Sequence, residues 1–245
     1  MTMKQAIMIA ALSVADGGAA FAQGGKCPEC KDVRQAVMAT LPGTTVTAVN
    51  RSPIAGVYEV VMGRNIAYTD KRGKLFLMGH IYDPATRRDL TANRLADINR
   101  VSWKDLPLRD AIASGPKDGM RLAVFTDPEC PYCKHLEKIM KEMPKVRVYT
   151  FLFPLESIHP DARAKAESIW CAKDRHKALL DVMLNGKQLK RGACATPIDR
   201  NIQLAAKLGI NGTPGLIAPD GRIMQGAPDS AASLAAWLRG PGKGQ

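Results

Sequence analysis

A Cys-Pro-Tyr-Cys stretch at residues 130–133 lies where a continuous apolar run gives way to a helical pattern. The run MRLAVFTD, residues 120–127, is typical of a buried strand. The helical pattern follows from Pro131 to Met143. Its predicted core face carries the apolar side chains of Leu136, Ile139, Met140 and Met143. The chain must therefore form a strand that leads into a helix, with two cysteines at the junction.

This junction makes the two sulfur atoms chemically unequal. Cys130 falls at or near the N-cap, and Pro131 takes the first helical position, where its missing N–H costs nothing. Free backbone N–H groups and the helix dipole stabilise a thiolate there, which lowers a cysteine pKa from about 8.5 toward about 3.5–7.5. Cys133 is one turn deeper and should be less acidic. We expect Cys130 to attack a substrate disulfide and Cys133 to release the mixed disulfide.

Two other interpretations of this pair are weaker. A structural disulfide between Cys130 and Cys133 would close a very short loop and would stabilise the fold little. A four-cysteine zinc site would need the second Cys-x-x-Cys pair, Cys27 and Cys30, which lies about 100 residues away. That distance is far outside zinc-ribbon spacing, so we expect no metal.

The N-terminus of the chain indicates export. Lys4 precedes an apolar stretch from Ala6 to Ala15, and Ala20-Phe21-Ala22 offers a cleavage site between small residues. Such a stretch is too short to cross a bilayer, which takes about 20 residues. We therefore predict a cleaved signal peptide over residues 1–22, with Gln23 as the mature N-terminus. No other segment is long and apolar enough to suggest membrane insertion.

Export changes what the six cysteines imply. In an oxidising compartment an even number favours disulfides over metal thiolates, and six cysteines allow 15 connectivities. If the cysteines of each Cys-x-x-Cys stretch pair with each other, Cys171 and Cys194 remain as the third pair.

The formal net charge of +12 raises the question of a nucleic-acid partner. The lysines and arginines are dispersed along the chain, without a block of five like charges. Solvated charged faces account for this pattern, and we expect no nucleic-acid partner.

The chain divides into a β-rich and an α/β part. After a short helical pattern from Asp32 to Leu41, residues 45–80 contain β-rich runs with a hairpin turn at residues 70–73. So small a sheet needs a partner, such as a second copy paired along an edge strand. Thr91 to Ala113 is largely helical in pattern and broken at Pro107. We predict a dimerisation domain, a linker helix and a catalytic domain over residues 23–91, 92–118 and 119–245.

The last of these domains has a recognisable order of elements. Its first strand and helix are followed by a strand at residues 146–153 and three helical patterns at residues 161–208. A hairpin at residues 212–226 and a helix capped by Asp229 or Ser230 complete it. This α/β order with a helical insert predicts a thioredoxin-like domain.

Three stretches of this domain resemble the DsbC-type periplasmic disulfide isomerases. They are VFTDPECPYCKHLEKIM, IWCAKDRHKALLDVMLNGK and LGINGTPGLIAPDGRI, spread over about 120 residues in the family's order. The β-rich domain and linker helix fit the family more loosely. The resemblance therefore covers nearly the whole mature chain.

The resemblance implies roles for matching residues. Cys130 and Cys133 match the catalytic dithiol, and Thr213-Pro214 match a threonine and cis-proline that lie against it. Cys171 and Cys194 match a structural disulfide. Closing that loop of about 24 residues would stabilise the fold by roughly 3 kcal/mol.

This sequence departs from the family at two places. Pro131-Tyr132 stand where the best-known isomerases have Gly-Tyr, a dipeptide that tunes the redox potential. Cys27-Pro28-Glu29-Cys30 is not supplied by the family pattern. It could be a local disulfide, a second redox pair, or a metal or partner contact.

The expected protein is an exported, periplasmic thiol–disulfide oxidoreductase, a homodimeric isomerase that reshuffles disulfides in other exported proteins. It needs no cofactor, and the resemblance implies a DsbD-type membrane reductant as its electron donor. The alternatives are a dithiol oxidase, a holdase chaperone, and a dedicated factor for a secretion or conjugation apparatus.

Other polar residues offer weaker functional signals. His135 should point away from the core face of its helix and into solvent, while Asp127 and Glu129 could accept protons next to Cys130. His80, His159 and His176 lack metal-ligand spacing.

Overall fold

The computed structural model of the protein describes residues 27–190 and 192–240. The predicted signal peptide, residues 1–22, and the predicted mature N-terminus at Gln23 lie outside the described residues. The chain forms two compact units, of which the first ends at Gly79 and the second begins at His80. The domain boundaries proposed from the sequence stay predictions.

The first unit is a helix packed on an antiparallel sheet. The helix α1 spans Cys30–Thr40, two residues earlier than the predicted start. The sheet has the order β1-β2-β3-β4. Its strands are β1 Val46–Arg51, β2 Val57–Met62, β3 Asn65–Asp70 and β4 Phe76–Leu77. Val33 and Val37 of α1 are fully buried, as the apolar spacing of the helical pattern requires.

The predicted turn after β3 is confirmed, and its residues explain it. The Asp70 carboxylate accepts hydrogen bonds from the backbone N–H groups of Lys74 and Leu75. The Leu75 and Lys74 bonds hold the pKa of Asp70 down, at about 2. Gly73 has φ +63°, and a Cβ there would come within 2.8 Å of the Val37 backbone nitrogen. The turn therefore needs glycine at this position.

The second unit opens with small elements. A two-stranded ribbon pairs β5 Tyr82–Asp83 with β6 Arg88–Asp89. The helix α2 follows at Leu90–Ile98, capped by the Asp89 side chain.

The helical pattern predicted from Thr91 to Ala113 forms a helix only as far as Ile98. Two short 3₁₀ turns follow, at Trp103–Asp105 and Leu108–Asp110, and then the strand β7, Ile112–Ser114. The prediction was wrong for this half because Ile112 is buried in a strand of the unit's sheet. Pro107 is itself unsuited to a helix interior.

A five-stranded sheet of order β11-β10-β8-β9-β7 forms the centre of this unit. Its other strands are β8 Met120–Thr126, β9 Val146–Leu152, β10 Gly215–Ile217 and β11 Ile223–Gln225. β8 and β9 run parallel and the other pairs are antiparallel. The helices are α3 Pro131–Lys141, α4 Ala162–Trp170, α5 Arg175–Asn185, α6 Ile198–Leu208 and α7 Ala231–Arg239. The predicted thioredoxin-like fold, with α4 to α6 as its insert, is confirmed.

The sheet core and the cysteine pair belong to two apolar clusters, and the partly buried Ile202 packs against both. Phe125 of β8 and Phe151 of β9 stack with ring centroids 4.9 Å apart, and both are fully buried. Cys130 and Cys133 belong to a neighbouring apolar cluster that draws on the helical insert. Its members include Ile169, Leu179 and Ile198. The insert therefore supplies the apolar surface against which the dithiol is buried.

The structure identifies the N-cap of the last helix, for which the sequence offered two residues. Of the two cap candidates, Ser230 is the N-cap of α7, and it forms a reciprocal capping box with Ser233.

Candidate active site

The strand–helix junction places Cys130 at the N-cap of α3, with extended backbone angles of φ −61° and ψ 122°. Pro131 is the first residue of the helix. Cys130 and Cys133 are free thiols, 5% and 1% exposed respectively. Tyr132 between them is 67% exposed. The tyrosine ring therefore lies at the surface, where a bound protein would meet it.

The two thiols differ strongly in acidity. The hydrogen bond that the Cys133 thiol donates is the largest influence on Cys130, and it lowers the pKa of Cys130 to about 5 against the opposing effect of burial. Hydrogen bonds from the backbone N–H groups of Cys133 and Tyr132 lower it further. Burial raises the pKa of Cys133 far above its ordinary value, and the Cys130 sulfur raises it further. Cys130 is thus the thiolate at neutral pH, and Cys133 keeps its proton.

The loop before β10 lies against Cys130. Its Thr213–Pro214 peptide bond is cis. The Thr213 carbonyl oxygen lies 3.4 Å from Cys130 Sγ, and the Cys130 thiol can donate a hydrogen bond to it only in the protonated form. The Thr213 hydroxyl is buried and has no hydrogen-bond partner among the described residues. Pairing of Gly215 with Phe125 holds this loop at the end of β8, beside the dithiol.

Asp127 anchors the loop that ends at Cys130. Its fully buried carboxylate accepts hydrogen bonds of 2.7 Å from the backbone N–H groups of Glu129 and Leu155. The His159 ring nitrogen Nδ1 lies 3.0 Å from Asp127 Oδ2. Because both carboxylate oxygens are engaged, Asp127 positions the loop and does not face a substrate. The sequence had suggested a proton acceptor here.

Replacing Asp127 with alanine should therefore destabilise the protein. The Leu155 N–H would lose its partner in the interior, a loss that costs about 1–3 kcal/mol. Urea unfolding of Asp127→Ala would show the effect, with Asp118→Ala in an exposed loop as the matched control. Equal midpoints for the two variants would contradict the anchoring role.

Glu129 forms a charged contact on the rim of the site. Its Oε1 lies 2.7 Å from the Lys165 ammonium nitrogen on α4. His135 is exposed, as its position on the helix predicts.

Glu137 is the feature that the sequence interpretation missed. It lies on α3 four residues after Cys133 and is only 4% exposed. Burial raises the pKa of its carboxyl to about 7, while the Lys141 charge opposes the rise. Its position four residues after Cys133 was the one sequence feature that indicated burial, because residues four apart share a helix face.

The four remaining cysteines form two disulfides. Cys171, at the end of α4, is bonded to Cys194 in the loop before α6. Cys27 is bonded to Cys30 at the start of α1. Within residues 27–190 and 192–240, no group of three or more His, Cys, Asp or Glu side chains could hold a metal ion. No helix in that part of the chain is long and apolar enough to cross a bilayer.

Comparison with known proteins places the chain in a family. The Disulfide bond isomerase protein N-terminal domain matches residues 24–92, and a thioredoxin-like domain matches residues 108–240. The probable thiol:disulfide interchange protein DsbC of Bordetella pertussis is 36% identical over 201 residues, which is 82% of this chain and 71% of that protein. This chain belongs to the DsbC family.

Two further relatives support this family assignment. The thiol:disulfide interchange protein DsbC of Escherichia coli K12 is 28% identical over 231 residues, 91% of each chain. The crystal structure of a disulfide interchange protein from Neisseria gonorrhoeae is similar to 55% of this chain and 96% of its own, with 39% identity and a TM-score of 0.52. As a DsbC-type protein, this chain is a thiol–disulfide oxidoreductase of the isomerase class.

Proposed function

We propose that the Cys130–Cys133 dithiol rearranges non-native disulfides in exported proteins of the periplasm. The observation that carries this proposal is the unequal acidity of two buried neighbouring thiols. A thiolate at Cys130 attacks readily, and a thiol at Cys133 that keeps its proton delays release of the substrate. The delay gives a second substrate cysteine time to attack.

The chemistry follows from these roles. The Cys130 thiolate attacks a substrate disulfide, forms a mixed disulfide, and releases a substrate thiolate that takes a proton from water. Another substrate cysteine then attacks the mixed disulfide, which forms a new substrate disulfide and frees the Cys130 thiolate. No electrons are lost in this cycle.

A side path consumes electrons. If no second substrate cysteine arrives, Cys133 loses its proton and attacks Cys130 Sγ, which releases the substrate reduced and leaves a Cys130–Cys133 disulfide. A DsbD-type membrane reductant would restore the dithiol.

The loop at Thr213 and Pro214 supports substrate binding beside the sulfurs. The Thr213 carbonyl lies at Cys130, on the loop that leads into β10. An extended substrate segment could pair with backbone groups of this loop. Tyr132 adds an exposed aromatic surface next to the thiols.

The experiment is recovery of ribonuclease activity from scrambled ribonuclease in a glutathione buffer. We expect the reduced protein to accelerate recovery well above the buffer alone. Failure to do so would exclude isomerase function.

A dithiol oxidase is the second candidate, and the acidity of Cys130 favours it. A thiolate stabilised in the reduced state makes the disulfide a stronger oxidant. Thiol trapping in the native compartment separates the two functions. A mostly reduced Cys130 supports the isomerase, and a mostly oxidised one supports the oxidase.

We also propose that the protein is a homodimer joined through its first unit. Strand β4 is the edge of that sheet, and large apolar side chains in and beside it are exposed. They are Leu75 at 70%, Leu77 at 59% and Met78 at 69%. An exposed apolar edge strand is suited to pairing with a second copy.

Charges along this edge should separate the protomers. We expect a chain with Leu75→Asp, Leu77→Asp and Met78→Asp to be monomeric by light scattering, because pairing would bury three carboxylates. The control is Ile158→Asp, which charges an exposed apolar side chain of the second unit. A dimer that survives the triple change would rule out this edge as the interface.

A further inference from the structure

The Cys27–Cys30 disulfide takes no part in the chemistry described above. We propose that it is a second exchangeable disulfide, which accepts two electrons from a dithiol through attack on Cys27. Four features of the first unit support this: how α1 is held, how the two cysteines differ in exposure, where Cys30 lies on the helix, and what lies beside the disulfide.

The helix α1 does not depend on this disulfide for its attachment. Val33 and Val37 are fully buried against the sheet. The Arg34 guanidinium donates a hydrogen bond of 2.7 Å to the Val46 carbonyl oxygen. The disulfide joins residues only 3 apart in sequence, against 23 for Cys171–Cys194. A disulfide that closes so short a loop restricts the unfolded chain less and therefore stabilises the fold less. A purely structural role would thus account for little of its presence.

The two cysteines are unequally exposed. Cys27 is partly exposed and Pro28 beside it is exposed, whereas Cys30 is 9% exposed and packs with Tyr58 and Val33 in the core of the unit. An incoming thiolate can therefore reach Cys27 more easily than Cys30.

The position of Cys30 suits it to be the leaving group. It is the first residue of α1, an 11-residue helix, with Glu29 as the N-cap. The positive end of the helix dipole stabilises a thiolate there. A leaving thiol of lower pKa departs faster, so attack at Cys27 is favoured electronically as well as sterically.

A cleft of about 260 Å³ lies next to this disulfide. Glu29, between the two cysteines, and Tyr58, which packs in the same cluster as Cys30, both line it. Arg51 also lines the cleft and forms an ion pair of 2.6 Å with Glu29, and Ile54 offers an exposed apolar surface. The cleft gives the chain around an attacking cysteine a place to bind.

The proposed step balances as two successive exchanges. One thiolate of a dithiol bonds to Cys27 Sγ, the Cys27–Cys30 bond breaks, and Cys30 leaves as a thiolate that takes a proton from water. The second thiolate of the same dithiol then attacks its own partner sulfur in the mixed disulfide. Cys27 is released and protonated, so the pair gains two electrons and the dithiol becomes a disulfide.

The test uses the full chain with Cys130→Ser and Cys133→Ser, so that only Cys27–Cys30 and Cys171–Cys194 can be reduced. The protein is equilibrated in graded mixtures of reduced and oxidised dithiothreitol, labelled with a maleimide, and its labelled cysteines are identified by peptide mass spectrometry. Cys171–Cys194 is the internal control. We expect Cys27 and Cys30 to be labelled at a reduced-to-oxidised ratio at least about tenfold lower than Cys171 and Cys194 require. Labelling of both pairs at the same ratio, or of Cys27–Cys30 last, would overturn the proposal.

Melting temperatures give a second, independent measurement. The paired change Cys27→Ser/Cys30→Ser should lower Tm clearly less than Cys171→Ser/Cys194→Ser does. An equal or larger fall would show that the bond is a structural link, and the proposal would be wrong. Neither measurement depends on isomerase activity, so its outcome is separate from that of the proposed function.

Discussion

Replacing Cys130 with serine should lower the reactivation of scrambled ribonuclease to the rate of the buffer alone. A serine hydroxyl is not ionised at neutral pH and cannot form a mixed disulfide. Cys133→Ser is the matched comparison, because it keeps the attacking sulfur. That variant should accumulate mixed disulfides with its substrate, which gel electrophoresis without reductant would detect. Substantial activity in Cys130→Ser would show that another cysteine carries the reaction.

The acidity of Cys130 can be measured directly. Its pKa of about 5 means that its alkylation rate should already be constant at pH 7, where an ordinary thiol still reacts faster as the pH rises. Cys133→Ala should move the midpoint upward, since the Cys133 hydrogen bond is the largest cause of the lowered pKa. An unchanged midpoint would mean that the helix N-terminus alone sets the acidity.

Replacing Glu137 with glutamine should stabilise the protein above neutral pH. Its carboxyl has a pKa of about 7 in the folded state, against 4.5 ordinarily, so the folded state binds more protons between these values. Stability therefore falls as the pH rises through this window, by up to about 3 kcal/mol, and the loss stays constant above it. Glutamine has no charge to bury, and Glu137→Gln should lose this dependence.

Urea unfolding at pH 5 and pH 8 would test the Glu137 prediction. We expect Glu137→Gln to gain most of the difference at pH 8 and little at pH 5. Glu142→Gln, at the exposed end of the same helix, is the control and should change neither value much. Equal effects of Glu137→Gln at both pH values would contradict the raised pKa.

Local patterns predicted most of the secondary structure, and they failed where long-range packing decided the outcome. The apolar spacing of α1, α3 and the three insert helices set their positions within a few residues. The prediction failed at residues 99–113, where a charged, helix-compatible stretch forms two 3₁₀ turns and then enters the edge strand β7 next to β9. No local sequence pattern distinguishes a helix from a strand here, since the strand's pairing partner lies more than thirty residues further along the chain.

The sequence by itself determined the strand–helix junction and the order of its sulfurs, because Pro131 fits the first helical position and so places Cys130 at the N-cap. Only the tertiary structure decided what surrounds them. The Thr213 carbonyl reaches Cys130 from 83 residues away, and the Leu155 N–H reaches Asp127 from 28 residues away. Glu137 looked like an ordinary helix residue until the fold buried it. Desolvation depends on how distant segments pack, so a local pattern can locate a carboxyl or a thiol, but only the packed fold sets its pKa.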